Sequence, residues 1–173
     1  VEKNFVKLNV EKYGGMLMAP WFDRPLGIAG RVMVKNGTKI EEHLLHIDRD
    51  IIMMPNLAIH MNREANDGYK YNAQTDTQPI FAELASGVTL YDIIAKELDV
   101  SKDAILDTDL FLTNRMKGTI WGANNEFIAA GRLDDLQCVF AGAESIIEAK
   151  NKDNIAIHCV FDNEEVGSGT KQG

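Results

Sequence analysis

Cysteine is scarce in this sequence, and no motif built on paired cysteines is present. Cys138 and Cys159 are the only two among 173 residues, and no Cys-x-x-Cys pair occurs. A disulfide framework and a thiolate zinc site are therefore not expected. Both cysteines stand in apolar stretches, so they are predicted to be buried free thiols, which suits a reducing cytoplasm.

Long apolar runs and an excess of positive charge are also missing. No run reaches the length of a transmembrane helix. The 18 lysines and arginines are outnumbered by 26 aspartates and glutamates, which gives a formal net charge of −8. This balance argues against nucleic acid or an anionic membrane as a partner. The composition is otherwise that of an ordinary globular protein, and the motifs His-Glu-x-x-His, Gly-x-Ser-x-Gly and the phosphate-binding glycine loop are absent.

Hydrophobic periodicity predicts a β-rich region that contains one helix and is followed by a helix–strand unit. An Asn-Gly pair at residues 36–37 predicts a hairpin, and Thr89 is a candidate helix cap. The polar residues 62–77 are expected to form a long surface loop. The predicted strands are residues 5–10, 28–34, 39–47, 104–113 and 155–161, with a short strand or turn at 118–122 and helices at 89–98 and 134–150. The predicted class is therefore α+β that passes into α/β.

An acidic stretch near the end of the sequence is the strongest candidate for a functional site. The apolar run 155–161, which predicts a strand buried on both faces, leads directly into residues 162–165 (Asp-Asn-Glu-Glu). In open α/β sheets such strand ends carry ligands. Glu164 and Glu165 would point to opposite faces of a regular strand, so they can share a site only where the strand has broken. Glycines at 167 and 169 allow that break.

A second acidic pair, Asp134 and Asp135, lies at the start of the second predicted helix. One interpretation is structural, because an aspartate at the N-cap accepts a backbone N–H and complements the helix dipole. The other is functional: two acidic clusters on consecutive elements can converge on a divalent ion. One of Glu164 and Glu165 would then bind the metal while the other takes a proton from water. The sequence leaves open which does which.

The four histidines give no ligand set by their positions alone. His158 lies in the predicted buried strand and is expected to be a core histidine. His43 and His46 are three residues apart on a predicted strand, hence on opposite faces, and are expected at the surface. His60 precedes the long polar loop, and an isolated histidine there is more often structural than catalytic.

Taken together, six stretches resemble the aspartyl aminopeptidase family of dinuclear metallo-aminopeptidases. The combination covers nearly the whole chain and is far more specific than any one stretch. The stretches are 13–15 (Tyr-Gly-Gly), 21–24 (Trp-Phe-Asp-Arg), 26–32 (Leu-Gly-Ile-Ala-Gly-Arg-Val), 55–60 (Pro-Asn-Leu-Ala-Ile-His), 131–135 (Gly-Arg-Leu-Asp-Asp) and 161–168 (Phe-Asp-Asn-Glu-Glu-Val-Gly-Ser).

The resemblance implies a domain plan and a role for each candidate residue. A β-rich dimerisation domain, residues 15–128, would interrupt an α/β zinc-peptidase catalytic domain whose parts here are residues 1–14 and 129–173. Asp134 would bridge two divalent metal ions, Glu165 would bind one of them, and Glu164 would be the general base. His60 would reach the active site of the neighbouring subunit and help to bind the reacting carbonyl. The implied cofactor is a pair of zinc ions, with cobalt or manganese as alternatives, and the implied partners are peptide substrates and further copies of the chain in dimers or dodecamers.

The family's remaining metal ligands have no counterpart in these 173 residues. Its first metal-binding histidine precedes the inserted domain, and a later aspartate and a histidine follow it. The resemblance therefore implies a central fragment that is truncated, binds zinc weakly and is inactive alone. Two other readings stay open: a self-associating module without catalysis, and a related dinuclear metallo-aminopeptidase or endoglucanase-like family with the same Asn-Glu-Glu-Val-Gly cluster. The preference for an acidic N-terminal residue, which the family name suggests, cannot be read from the sequence.

Overall fold

The fold is described from a computed structural model that covers residues 3–161, 164–167 and 169. The chain divides into two compact units, one made of residues 1–12 and 16–115 and the other of residues 13–15 and 116–173. The second unit thus begins before residue 128, where the resemblance places the end of the inserted domain. In the described part of the chain, no helix is long and apolar enough to cross a membrane.

The first unit is built on a five-stranded antiparallel sheet with the strand order β1-β4-β3-β2-β5. Four of its strands, β1, β2, β3 and β5, confirm predicted ones, and the central pair is longer than its apolar alternation indicated. The strands are β1 (Phe5–Lys7), β2 (Pro25–Asn36), β3 (Lys39–Met53), β4 (Ile80–Glu83) and β5 (Ile105–Asn114). Short helices accompany this antiparallel sheet, which confirms the predicted α+β class for this part of the chain.

The hairpin between β2 and β3 confirms the Asn-Gly signal. Asn36 pairs with Lys39 at the end of the ladder, and Gly37 has φ +62°, a conformation that glycine adopts without the steric cost of a Cβ. Further along the hairpin, Val32 and Leu45 are buried on one face of the sheet while Leu44 is exposed on the other. One face of this sheet therefore belongs to the core and the other does not.

The core lies under this sheet and is closed by helix α1 (Leu90–Leu98), which packs against β3. Thr89 caps the helix as predicted: its hydroxyl accepts from the Asp92 N–H at 3.3 Å, and the Asp92 carboxylate accepts from the Thr89 N–H at 2.8 Å. Ile94 of α1 and Leu26 of β2 are fully buried. The other buried apolar residues of the cluster are Phe22, Ile28, Val32, Val34, Leu45, Ile47, Ile52, Met54 and Ile105.

The second unit contains a two-stranded ribbon and one long helix. β6 (Thr119–Trp121) pairs with β7 (Phe127–Ala129), and the Trp121 and Phe127 rings lie 4.8 Å apart across the turn. Helix α2 (Leu133–Glu148) confirms the second predicted helix. A 3-10 turn, Glu164–Val166, follows near the end of the described residues.

The predicted strand at residues 155–161 is wrong in the described structure. No strand is assigned there, and Ile155, Ile157 and Phe161 are exposed. An apolar run shows that its side chains favour burial, but a strand also needs a hydrogen-bonded neighbour, and the described residues provide none for it. The burial predicted for Cys138, Cys159 and His158 is also wrong, since all three side chains are exposed. Of the two histidines expected at the surface of β3, His46 is exposed, whereas His43 is half-buried on the face that carries Val32.

Candidate active site

Asp134 stands at the start of α2, but it does not cap the helix. The N-cap residue is Arg132, which has φ 62° and makes no side-chain capping bond. Asp134 follows with non-helical angles of φ −83° and ψ 115°, and its side chain is exposed. These extended angles mark a kink and are those of an N-cap residue, but among the described residues the Asp134 side chain accepts no hydrogen bond from a backbone N–H, so no capping bond supports the structural interpretation.

The two glutamates lie where the chain has left any extended conformation. The backbone of Glu164 opens the 3-10 turn and Glu165 is its second residue, with an exposed side chain. The expectation that a strand could not hold both glutamates at one site agrees with this turn. Asp162 and Asn163, the other two members of the acidic stretch, lie outside the described residues.

Gly14 packs directly on the backbone of Glu165. It has φ +56°, and a Cβ placed on it would collide with the Glu165 carbonyl oxygen and lie 2.8 Å from the carbonyl carbon. A residue with a side chain could not approach so closely, which explains a glycine at this position in physical terms. Gly15 is different, because nothing lies within 4 Å of the equivalent point. Residues 13–15 therefore support the turn that carries Glu165.

His60 belongs to the first unit, where it lies exposed in a turn just after residues 55–59. The Met61 and Asn62 N–H groups both donate to the Ala58 carbonyl oxygen, at 2.8 and 3.1 Å, and close that turn. Asp134, Glu165 and the Glu164 backbone all belong to the second unit. The predicted site residues thus divide between the two units.

A carboxylate–amide clamp, Asp23 with Asn56, holds the start of the segment that leads to His60. The Asn56 backbone N–H donates to Asp23 Oδ1 at 2.7 Å, and the Asn56 Nδ2 donates to Oδ2 at 2.8 Å. These bonds, the backbone one first, lower the pKa of Asp23 from its ordinary value of 3.8, because they stabilise the charged carboxylate. Sequence reasoning singled out the two stretches that contain these residues without linking them.

The donor chemistry of the second unit suits zinc, although the number of donors does not complete a site. Asp134 and Glu165 offer carboxylate oxygens, which are ordinary zinc ligands. Within residues 3–161, 164–167 and 169, no group of three or more histidine, cysteine, aspartate or glutamate side chains is placed to hold a metal ion. The described residues therefore do not form a metal centre by themselves.

Known structures that resemble this chain are aminopeptidases of one fold. mApe1 from Chaetomium thermophilum superposes with a TM-score of 0.81 at 29% identity, over 99% of this chain and 43% of that one. A dodecamer of mApe1 from S. cerevisiae gives a TM-score of 0.71 at 26% identity, over 98% and 40%. The fold of this chain is thus similar to that of part of these structures.

The sequence comparison identifies the family. The family described as aminopeptidase I zinc metalloprotease (M18) matches residues 1–173, so the chain belongs to the M18 peptidase family. A "probable M18 family aminopeptidase 2" from Clostridium acetobutylicum is 48% identical over 178 aligned positions, which cover 99% of this chain. The chain spans about two fifths (41%) of the length of that relative.

Proposed function

We propose that this chain supplies part of the active site of a zinc aminopeptidase, an enzyme that removes N-terminal residues from peptides. The observation that carries the proposal is that two carboxylates are exposed and have no structural partner among the described residues. Asp134 and Glu165 are exposed, and among the described residues neither caps a helix nor pairs with a cation. Because the chain belongs to a family of zinc metalloproteases, we infer that these two carboxylates bind zinc.

In this proposal each acidic residue has a separate task. Asp134 would bridge two metal ions, and Glu165 would bind one of them. Zinc, when bound, lowers the pKa of water and polarises a carbonyl oxygen. Glu164 is the general base, and its carboxylate takes the proton from the attacking water. Cobalt and manganese accept the same oxygen donors, so the ligand types alone do not select the metal.

His60 completes the proposed site from a neighbouring subunit. It lies exposed beyond the Asp23–Asn56 clamp, where it can reach another copy of the chain, and an imidazole N–H there would donate to the carbonyl oxygen of the scissile bond. Residues 15–128 are accordingly proposed as a dimerisation domain. The outer face of the sheet offers a surface for this, because Leu44 and Phe111 are exposed on the same face.

The proposed substrates are peptides, with an acidic N-terminal residue preferred as in the aspartyl aminopeptidases that the sequence resembles. Assembly into dimers, and further into a dodecamer like that of the yeast neighbour, is proposed for the complete gene product. Its proposed location is the cytoplasm, in keeping with two free thiols.

Zinc titration and a peptidase assay test this function. The complete gene product should bind two zinc ions per chain and cleave dipeptides, and peptides with N-terminal Asp or Glu should be better substrates than those with Leu. Glu165→Gln and Asp134→Asn should each weaken zinc binding by more than the roughly 10- to 100-fold that loss of an outer-shell partner costs, because each removes a charged ligand atom. Asp153→Asn, which changes an exposed aspartate of the same unit, is the matched control and should have no effect.

The 173-residue chain on its own gives the complementary test. It is expected to bind zinc weakly, to lack peptidase activity and to elute as a dimer in size-exclusion chromatography. Tight binding of two zinc ions by this chain in isothermal titration would contradict the proposed division of ligands. A monomer would contradict the proposed dimerisation domain.

A further inference from the structure

We propose that Asp23 is a positioning residue of this site: by clamping Asn56 it sets the direction in which residues 57–60 leave the core and so the placement of His60. The inference rests on the function proposed above for His60 and goes beyond it, since Asp23 itself contacts neither substrate nor metal in that proposal.

Asp23 holds the chain on both sides of Pro55. Its own backbone N–H donates to the Met54 carbonyl oxygen at 3.0 Å, and its carboxylate accepts the two hydrogen bonds from Asn56. Bonds before and after one proline fix an orientation, whereas a single bond would fix only a distance. The restricted φ of Pro55 removes a further degree of freedom between the two points.

The clamp is rooted in the core at both ends. Phe22, directly before Asp23, is buried and stacks on Tyr71 with 4.6 Å between ring centroids. Met54, directly after the end of β3, is buried as well. Asp23 has φ +56°, so the chain reverses there between Phe22 and the start of β2. The carboxylate therefore projects from a fixed base.

The segment beyond the clamp has little else to hold it. Leu57 and Met61 are 62% and 74% exposed. Among the described residues, the Ala65 N–H donates to the Asn62 carbonyl oxygen, and the hydrogen bonds that join residues 55–62 to a part of the chain distant in sequence are the two from Asn56 to Asp23. Residues 55–61 are all exposed, and an open cleft of about 330 Å³ borders Asn56, Leu57 and Asn62. The direction of the segment depends on the clamp because packing does not set it.

Three variants remove the clamp in steps. Asn56→Ala removes the Nδ2 bond and keeps the backbone N–H. Asp23→Asn keeps the shape and tolerates the left-handed conformation, but it exchanges one acceptor for a donor. Asp23→Gly removes both bonds and suits φ +56°. Asp92→Asn is the control, because it weakens the α1 capping box in the same unit without touching residues 55–60.

The test is a double-mutant cycle in the complete gene product. Asp23→Gly is expected to lower kcat/KM by about 10- to 100-fold with unchanged zinc content, as a small misplacement of a reacting group does. In a His60→Ala background it should cost nothing further. Asp92→Asn should lower the thermal midpoint and leave kcat/KM unchanged. Equal losses from Asp23→Gly in both backgrounds, or no loss in either, would overturn the inference.

Hydrogen–deuterium exchange gives a readout that does not depend on activity. Asp23→Gly should speed exchange of the amides in residues 57–62, whereas Asp92→Asn should not. If the wild-type protein cleaves no peptide, the proposed function fails, and the exchange result alone decides whether the clamp orders this segment. Unchanged exchange in Asp23→Gly would mean that it does not.

Discussion

Gly14→Ala is expected to damage the proposed metal centre although residue 14 carries no ligand. The added Cβ would lie 2.8 Å from the Glu165 carbonyl carbon and 2.9 Å from its Cβ. Carbon atoms in ordinary contact are separated by about 3.5–4.0 Å, so the two backbones must move apart by roughly 1 Å. Both partners in this contact are main chain, and no side-chain rotation can relieve it.

Two effects follow from that shift. Alanine at φ +56° costs roughly 1–2 kcal/mol of backbone strain, which should appear as a lower free energy of unfolding. The turn that carries Glu165 is displaced as well, and a displacement of roughly 1 Å at a catalytic group can cost on the order of 100-fold in rate. Zinc affinity and kcat/KM should therefore both fall in the complete gene product.

Gly15→Ala is the matched control for this experiment. Gly15 is the next residue, it does not have a positive φ, and no atom lies within 4 Å of its added Cβ. The Gly15→Ala variant should therefore bind zinc and cleave peptides like the wild type. The reasoning is refuted if the two alanine variants have the same zinc affinity and the same kcat/KM. It is also refuted if Gly14→Ala loses stability alone.

Two further predictions concern the first unit. Leu26→Ala should lower the free energy of unfolding by about 2–5 kcal/mol in denaturant titration, since Leu26 is fully buried and its truncation leaves a cavity. Leu44 is exposed, so Leu44→Ala should lower the free energy of unfolding far less. Equal losses from the two variants would contradict the assigned core. Hydrogen bonds from Lys102, and then from Thr89, lower the pKa of Asp92. The wild type should therefore be more stable than Asp92→Asn above the ordinary pKa of 3.8, and this advantage should disappear as the pH falls through the lowered pKa. An advantage that grew on acidification would contradict the prediction.

Local signals predicted those parts of the fold that short stretches determine by themselves. The Asn-Gly pair gave the β2–β3 turn because a tight hairpin needs positive φ at its centre. Thr89 marked the first turn of α1 because its hydroxyl can accept a free N–H there. The strand predicted at residues 155–161 was wrong because apolar character gives no information about a pairing partner, and a strand requires one.

The candidate site shows a related limit. The acidic residue types identified Asp134 and Glu165 as candidates, but the same pattern also allowed helix capping, and only the structure shows that Asp134 lies at a kink without a capping bond among the described residues. The contact between Gly14 and Glu165 spans most of the chain, so no periodicity could reveal it. The glycines in residues 14–15 signalled an unusual backbone, and only one of them is in close contact. The bonds from Asn56 to Asp23 bring together two stretches that the sequence shows separately. Patterns in the sequence do not show which distant segments contact each other. In this chain such contacts support both Glu165 and the segment that leads to His60.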